Sequence, residues 1–588
     1  MPTPIRFGSE FLVNTGTRGA QFSPIATALA DGRFVIAWSD QFGDGSAEGV
    51  KAQIFRADGS KDGAEFLVNT TTLREQDSPT IAALSNGGFV IAWTDSSETG
   101  GESYGSSIRA QMFAPDGSQT GPELIVTSDP AYAARDAAIT TLVDGRFVVS
   151  WSAASDLGGD TSGFGIHAQI FNADGSKSGA EFLVNTTTDQ SQTHSAVAAL
   201  ADGRFIVSWS DASGPQGDIP LTDIRAQMFN ADGSKAGAEM LVNTTVVNEQ
   251  GSSKIKTLAD GSFVIIWEDN AQQGGGPPTS LAAQLYHADG TKNGGELFLK
   301  TSITGEAYSP EITALSDGRF VLSWQNAGIH AQVFNADGST AGSEVLVETR
   351  SSDVKNPTID TLADGRLIVS WIDRRSTGDD PEDYAIRAQI LDPRDSAVTL
   401  GGTKLADQFI GTAWADRLSG GAGNDTLIGA AGNDGIKGED GNDSLHGGDG
   451  NDTIFGGNGN DRMRGEAGDD RLVGGAGNDK IAGGLGRDVM TGGLGADDFI
   501  FASAADIGNG TTRDIITDFQ SGFDDIDLRA LQTNGTFIGN AGFSGTAGEV
   551  RYLQTTGIVS GDLNGDGVAD WSMNITNKAT LVAGDFLF

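Results

Sequence analysis

Nine aspartates recur every nine residues: Asp425, Asp434, Asp443, Asp452, Asp461, Asp470, Asp479, Asp488 and Asp497. Each holds position 6 of a nonapeptide that runs without a gap from Gly420 to Ile500, beginning GGAGNDTLI, GAAGNDGIK, GEDGNDSLH. Glycine holds position 4, as at Gly423, Gly432, Gly441, Gly450, Gly459, Gly468 and Gly477, and an apolar residue holds position 8. Glycine lets the backbone turn tightly and aim carbonyls inward, and the aspartate adds charge. Carbonyl and carboxylate oxygens are the donors a hard cation collects, six to eight of them at roughly 2.3–2.6 Å. The chain has no cysteine and only five histidines, His167, His194, His287, His330 and His446, so a soft or imidazole-rich metal site is not expected. The ion these residues suit is Ca²⁺.

Nonapeptides of this kind are the signature of a calcium-binding parallel β-helix. Two of them make one coil, so each aspartate meets a partner 18 residues on, from Asp425/Asp443 to Asp479/Asp497. Nine repeats less two gives seven expected sites. Position 8 lies on a short strand and points into a thin core. Two degenerate units, GTKLADQFI from Gly402 and GTAWADRLS from Gly411, keep Asp407 and Asp416 but lack the inner glycine, and are expected to cap the stack. Further on, Asp562, Asn564, Asp566 and Asp570 follow the start of an EF-hand loop, but Met573 stands where the final acid belongs. That segment reads either as a weaker calcium site or as a tight hairpin turn.

The repeats place this block with the repeats-in-toxin (RTX) group, and residues 402–588 resemble the C-terminal region of serralysin-type secreted proteins. The resemblance rests on the repeats, on RDIITDFQSGFDDIDL (513–528), on GDLNGDGVADW (561–571) and on the terminal DFLF (585–588). It implies export from a Gram-negative cell by type I secretion machinery that reads an uncleaved C-terminal signal, matched here by Asp585, Phe586, Leu587 and Phe588. The resemblance stops before the protease, because no H-E-x-x-H occurs and the zinc site of serralysins is absent.

The segment before the repeats has its own period of about 47–58 residues. Seven strands of DGRFVISW type end at Trp38, Trp93, Trp151, Trp209, Trp267, Trp324 and Trp371. Seven Ala-Gln pairs mark IRAQIF-like strands, from Ala52-Gln53 to Ala388-Gln389, and seven EFLVNT-like strands begin between Glu10 and Glu344. Each unit reads as four strands joined by Asp-Gly turns. The second strand is apolar on both faces and must be covered on both. Stacked four-stranded blades around an axis achieve this, so a seven-bladed β-propeller is expected. An open solenoid or a string of small sandwiches is the alternative. The last unit lacks its outer strand, and residues 10–15 are expected to supply it and seal the ring. The whole chain is read as all-β: propeller 1–392, linker 393–401, parallel β-roll 402–500 and a small β-rich C-terminal cap 501–588.

With Asp and Glu at 79 against Lys and Arg at 38, the net charge is −41. That charge opposes nucleic acid and anionic membrane surfaces. No run of 18 apolar residues exists, so no membrane span is expected, and MPTPIRFGSEFLVNT has no apolar signal core. The recurrent tryptophans read as packing residues, the recurrent glutamines as ligands of inter-blade backbone, and the arginines after the Asp-Gly turns as partners of neighbouring acids. No nucleophile motif, phosphate loop or metal-type His cluster is present, so no catalytic residue is assigned. The propeller face carrying the 2–3 and inter-blade loops varies most, and loops on a rigid scaffold are where binding resides. Tyr384, Arg374, Arg375 and Tyr104 are the candidate contacts there, by stacking and charge, for an extracellular polysaccharide or cell-surface ligand. The leading reading is a secreted, calcium-dependent adhesin or lectin-like protein. A polymer-degrading hydrolase or lyase acting in the propeller funnel is the second reading, since the acidic loops hold many carboxylates. A structural surface-layer component is the third.

Overall fold

A computed structural model of the chain describes residues 3–45, 47–97, 105–128, 133–154, 163–213, 222–244, 249–270, 280–299, 307–348, 354–374 and 384–588. The chain forms two compact units, one of residues 1–29 with 33–393 and the other of 30–32 with 394–588. Nearly all of the regular structure is β, and among the described residues no helix is long and apolar enough to cross a membrane.

In the first unit the second strand of each repeat sets the architecture. Phe34–Asp40, Phe89–Asp95, Phe147–Ala153, Phe205–Asp211 and Leu367–Asp373 are buried along their whole length. Each lies between a first and a third strand, all antiparallel, in one of seven four-stranded sheets. These are the blades of the expected propeller. The seven repeat tryptophans are fully buried between them. The aromatic that opens the second strand stacks on the one that closes the third, as Phe34 does on Phe55 with ring centroids 5.1 Å apart.

Ring closure uses the N-terminal strand. Ile5–Leu12 pairs antiparallel with Ala385–Asp392 and completes the seventh blade. The strand begins five residues before the expected Glu10, because Ile5, Arg6 and Phe7 extend the pairing beyond a bulge between Phe7 and Phe11. In five repeats the glutamate that opens the EFLVNT segment staples blades together. Glu65 accepts from the Thr15 N–H at 2.6 Å, Glu123 from Thr70 at 2.9 Å and Glu239 from Thr186 at 2.6 Å. The glutamines act differently from expectation. Gln53 Nε2 donates to the carbonyls of Ile54 and Gly63, inside its own blade. Its side chain is too short to leave the 3–4 turn that folds back over it.

The second unit is a roll. Two parallel sheets alternate down it, one holding Thr426–Ala431, Ser444–Asp449, Arg462–Ala467 and Lys480–Leu485, the other Arg417–Ala422, Gly435–Asp440, Thr453–Asn458, Arg471–Ala476 and Val489–Leu494. Register is offset by 18 residues throughout, as in Leu445 against Met463 and Ile454 against Leu472. One core runs along the axis through the position-8 residues Leu427, Ile436, Leu445, Ile454, Met463, Leu472, Ile481, Met490 and Phe499. Neither sheet stops at the ends of the repeats. Thr399–Gly401, expected in the linker, is a strand against Arg417–Ser419, since Leu400 adds one more apolar rung. Past Ile500 the sheets continue through Ile515–Ile516 and Asp525–Asp527, and the C-terminal Phe586–Leu587 pairs in parallel with Ile526–Asp527.

Candidate metal centre

The nonapeptide grammar becomes two ladders of hydrogen bonds. Each position-6 N–H donates to the carboxylate one coil further on: Asp425 to Asp443 Oδ1 at 2.8 Å, Asp434 to Asp452 at 2.8 Å, Asp461 to Asp479 at 2.9 Å. Position 5 runs the other way, with the Asn442 N–H donating to Asn424 Oδ1 at 2.8 Å and Asn460 to Asn442 at 2.7 Å. The asparagine ladder goes beyond the expected aspartate pairs, although the ND pair in six of the nine repeats is its signal.

The aspartate ladder uses only one oxygen of each carboxylate. Oδ2 of Asp425, Asp434, Asp443, Asp452, Asp461, Asp470, Asp479, Asp488 and Asp497 is buried and meets no hydrogen-bond donor. A buried carboxylate without a partner is costly. Burial first, then neighbouring carboxylates, pushes Asp425, Asp434, Asp461 and Asp497 up to about 6 and Asp470 and Asp479 to about 7. A cation beside each free oxygen removes that penalty.

The glycines leave the room for it. A Cβ on Gly438 would run into Asp443 Oδ2 and crowd the Gly456 carbonyl, and one on Gly456 would meet Asp461 Oδ2 and the Gly474 carbonyl. Carboxylate and carbonyl oxygens thus border one cradle that any side chain at position 1 would fill. At position 4, a Cβ on Gly441 or Gly450 would strike the carbonyl of Gly423 or Gly432 one coil back, so these carbonyls stack in line. Among the described residues no three carboxylates or histidines converge on one point. The remaining donors are therefore backbone carbonyls, which a hard cation accepts.

The aspartates form two columns with defined ends. Asp407 heads one and Asp416 the other, with their N–H groups donating to Asp425 and Asp434. Their own carboxylates are satisfied by Thr403 and Thr412, which occupy position 2 in place of glycine. The caps are thus aspartates without a free oxygen. At the other end both columns continue past the repeats: the Asp488 N–H donates to Asp514 Oδ1 at 2.8 Å and the Asp497 N–H to Asp524 Oδ1 at 3.1 Å. Sequence periodicity misses both, because the steps are 26 and 27 residues. The available signal is local: Asp514-Ile515-Ile516 and Asp524-Asp525-Ile526 repeat the position 6–8 pattern.

The EF-hand-like segment closes on itself. Asp562 accepts from Gly565 and Gly567 at 2.7 and 2.8 Å, Asp566 from Val568 at 2.8 Å, and Asp570 from Leu563 at 2.6 Å. Asn564 accepts from Asp566 at 2.8 Å. This loop joins Ile558–Asp562 to Trp571–Ile575, which pair as a hairpin. On the propeller, the Arg374 guanidinium lies over the Tyr384 ring, 4.9 Å from its centroid. Tyr104 and Arg375 lie outside the described residues.

Residues 401–436, 437–472 and 464–499 match the RTX calcium-binding nonapeptide repeat (4 copies) family. No curated protein matches the chain. Among solved structures, a protein of unknown function from Dyadobacter fermentans is 18% identical over 54% of this chain and 94% of its own, with a TM-score of 0.38. An α-L-arabinofuranosidase of Fusarium graminearum is 13% identical over 53% and 92%, with a TM-score of 0.37. An α-L-arabinanase of Penicillium chrysogenum is 15% identical over the same shares, also at 0.37. Likenesses at this level assign no activity to the chain. The roll is built of RTX calcium-binding nonapeptide repeats, and Ca²⁺ is the ion they bind.

Proposed function

We propose that this is a secreted, calcium-ordered binding protein whose propeller engages an anionic polysaccharide. In this reading the ions sit between successive coils, each held by position-6 carboxylates and glycine carbonyls. The repeat aspartates Asp425 to Asp497 and the position-4 glycines are the proposed ligands. Calcium supplies the positive charge that the buried carboxylates otherwise lack. Export follows from the same linkage. At low calcium the roll is unfolded and the C-terminal residues are free for a type I exporter, while in the folded chain Asp585 is buried and held by Ser521 and Gly522.

One observation carries the binding reading. On the variable face, three guanidinium groups lie over aromatic rings of the 2–3 loops: Arg18 over Phe42 at 5.2 Å, Arg135 over Phe164 at 4.1 Å and Arg374 over Tyr384 at 4.9 Å. Phe164 and Tyr384 occupy the same place in their blades, just before the third strand. Such pairs offer an apolar plane and a fixed cation side by side, which suits an acidic sugar. The opposite face is made of closed turns in which an aspartate accepts from the serine two residues on, as Asp58, Asp174 and Asp232 do.

The test is binding of the calcium-loaded chain to a polyuronate by titration calorimetry. Tyr384→Ala with Arg374→Ala is expected to weaken binding by roughly tenfold, about 1.4 kcal/mol, in a chain that still folds, with a small loss of melting temperature because Tyr384 also packs on the core beneath it. Full retention of binding in that variant, or its loss on altering the Asp-Gly-Ser turns, contradicts the assignment. Release of reducing ends during the titration favours the hydrolase reading instead.

A further inference from the structure

The residues that follow the repeats hold one more carboxylate of the metal-binding kind. Asp514 is fully buried, its Oδ1 accepts from the Asp488 N–H, and its Oδ2 meets no donor. This is the pattern of every repeat aspartate, produced by a segment with no nonapeptide in it. The chain reaches it after a detour through the one-turn helix Ala504–Ile507, which is why the step is 26 residues and not 18. Ile515 and Ile516 then pair in parallel with Val489 and Met490, and Ile516 enters the core where a position-8 residue belongs. Residues 514–516 extend the roll in strand pairing and in side-chain placement.

We propose that Asp488 and Asp514 bind a calcium ion between them, one site more than the nonapeptides provide. The inference rests on the repeat aspartates being calcium ligands. The three other aspartates at the column ends set the contrast. Asp407 and Asp416 have their oxygens taken by Thr403 and Thr412. Asp524 accepts from the Asp497 N–H with one oxygen and from the Gln520 N–H at 2.7 Å with the other. Asp514 alone, among the described aspartates beyond the repeats in either column, keeps a buried oxygen for a cation. The roll is therefore metal-tied to the C-terminal region on one side and hydrogen-bonded to it on the other. Binding there fixes Ile515–Ile516, whose neighbouring strand in the sheet is Trp571–Ile575, so the ion also orders the C-terminal hairpin.

The test is the calcium content of the full chain after gel filtration at fixed free calcium, compared among single Asp→Asn variants. Asparagine keeps the acceptor for the preceding N–H and removes the charge. Asp514→Asn is expected to hold one ion fewer than the parent chain, and Asp524→Asn the same number. An unchanged content in Asp514→Asn overturns the proposal. Asp452→Asn is the control for the underlying reading: if it also loses no ion, the repeat carboxylates are not ligands and the fault lies there. Should Asp514→Asn fail to fold, a crystal of the parent chain soaked with a lanthanide decides. An anomalous peak bonded to both Asp488 and Asp514 supports the site, and an occupied roll without that peak refutes it.

Discussion

The backbone N–H of Asp452 donates to Oδ1 of Asp470 at 2.8 Å, while Oδ2 of the same carboxylate is buried and meets no donor. One oxygen holds the coils in register and the other is left for a cation. In the proposed reading, structure and metal binding are divided within a single side chain.

That division separates interior from terminal aspartates. Asp452→Asn keeps the acceptor for Asp434 but removes the charge, and is expected to raise half-saturating calcium by roughly tenfold, about 1.4 kcal/mol. Asp416→Asn is expected to leave calcium binding nearly unchanged, because Thr412 already satisfies its carboxylate. Calorimetric titration of both variants checks this, and equal effects would contradict it.

Metal-free stability should depend on pH with the opposite sign to ordinary acid denaturation. Burial raises Asp425, Asp434, Asp461, Asp470, Asp479, Asp488 and Asp497 to about 6 or 7 in the folded roll, and Asp443 and Asp452 in the same direction, against about 4 in an unfolded chain. Between those values the folded form binds more protons, so its stability falls as pH rises. In chelator, amide protection across 420–500 should be greater at pH 5 than at pH 8. Calcium affinity should fall from pH 7.5 to pH 5.5, as protons compete for the same oxygens. Protection that rises with pH in chelator would refute the account.

Position 2 of the repeat lies in the left-handed region, and three repeats place a residue with a side chain there: Ala430 at φ 81°, Glu439 at 77° and Glu466 at 78°. That conformation costs an L-residue about 1 kcal/mol. Ala430→Gly is therefore expected to raise the melting temperature of the calcium-loaded roll by a few degrees. A lower melting temperature would show that the chain entropy of the added glycine outweighs the relief.

Much of this architecture is legible in the sequence because it repeats. The seven tryptophan strands and the nonapeptide aspartates announce blades and coils by their spacing, and a strand such as FVIAWSD has no half to give to solvent. What stays hidden lacks a period. Asp514 and Asp524 fall off the 18-residue step of the coils, although they sit in the same columns. The glutamines point into their own blades and not to neighbouring ones, because repetition shows that a residue matters but not which way it faces. Arg374 and Tyr384 are legible as a stacking cation and an aromatic, and their contact arises because the paired strands Leu367–Asp373 and Ala385–Asp392 end side by side.

The central claim is that calcium folds the roll by occupying the free carboxylate oxygens. Hydrogen exchange of the whole chain at pH 7.5, in millimolar calcium and in chelator, tests it most directly. The account predicts strong protection of 420–500 with calcium and little without, while the propeller strands stay protected in both. Equal protection of 420–500 in chelator would contradict it.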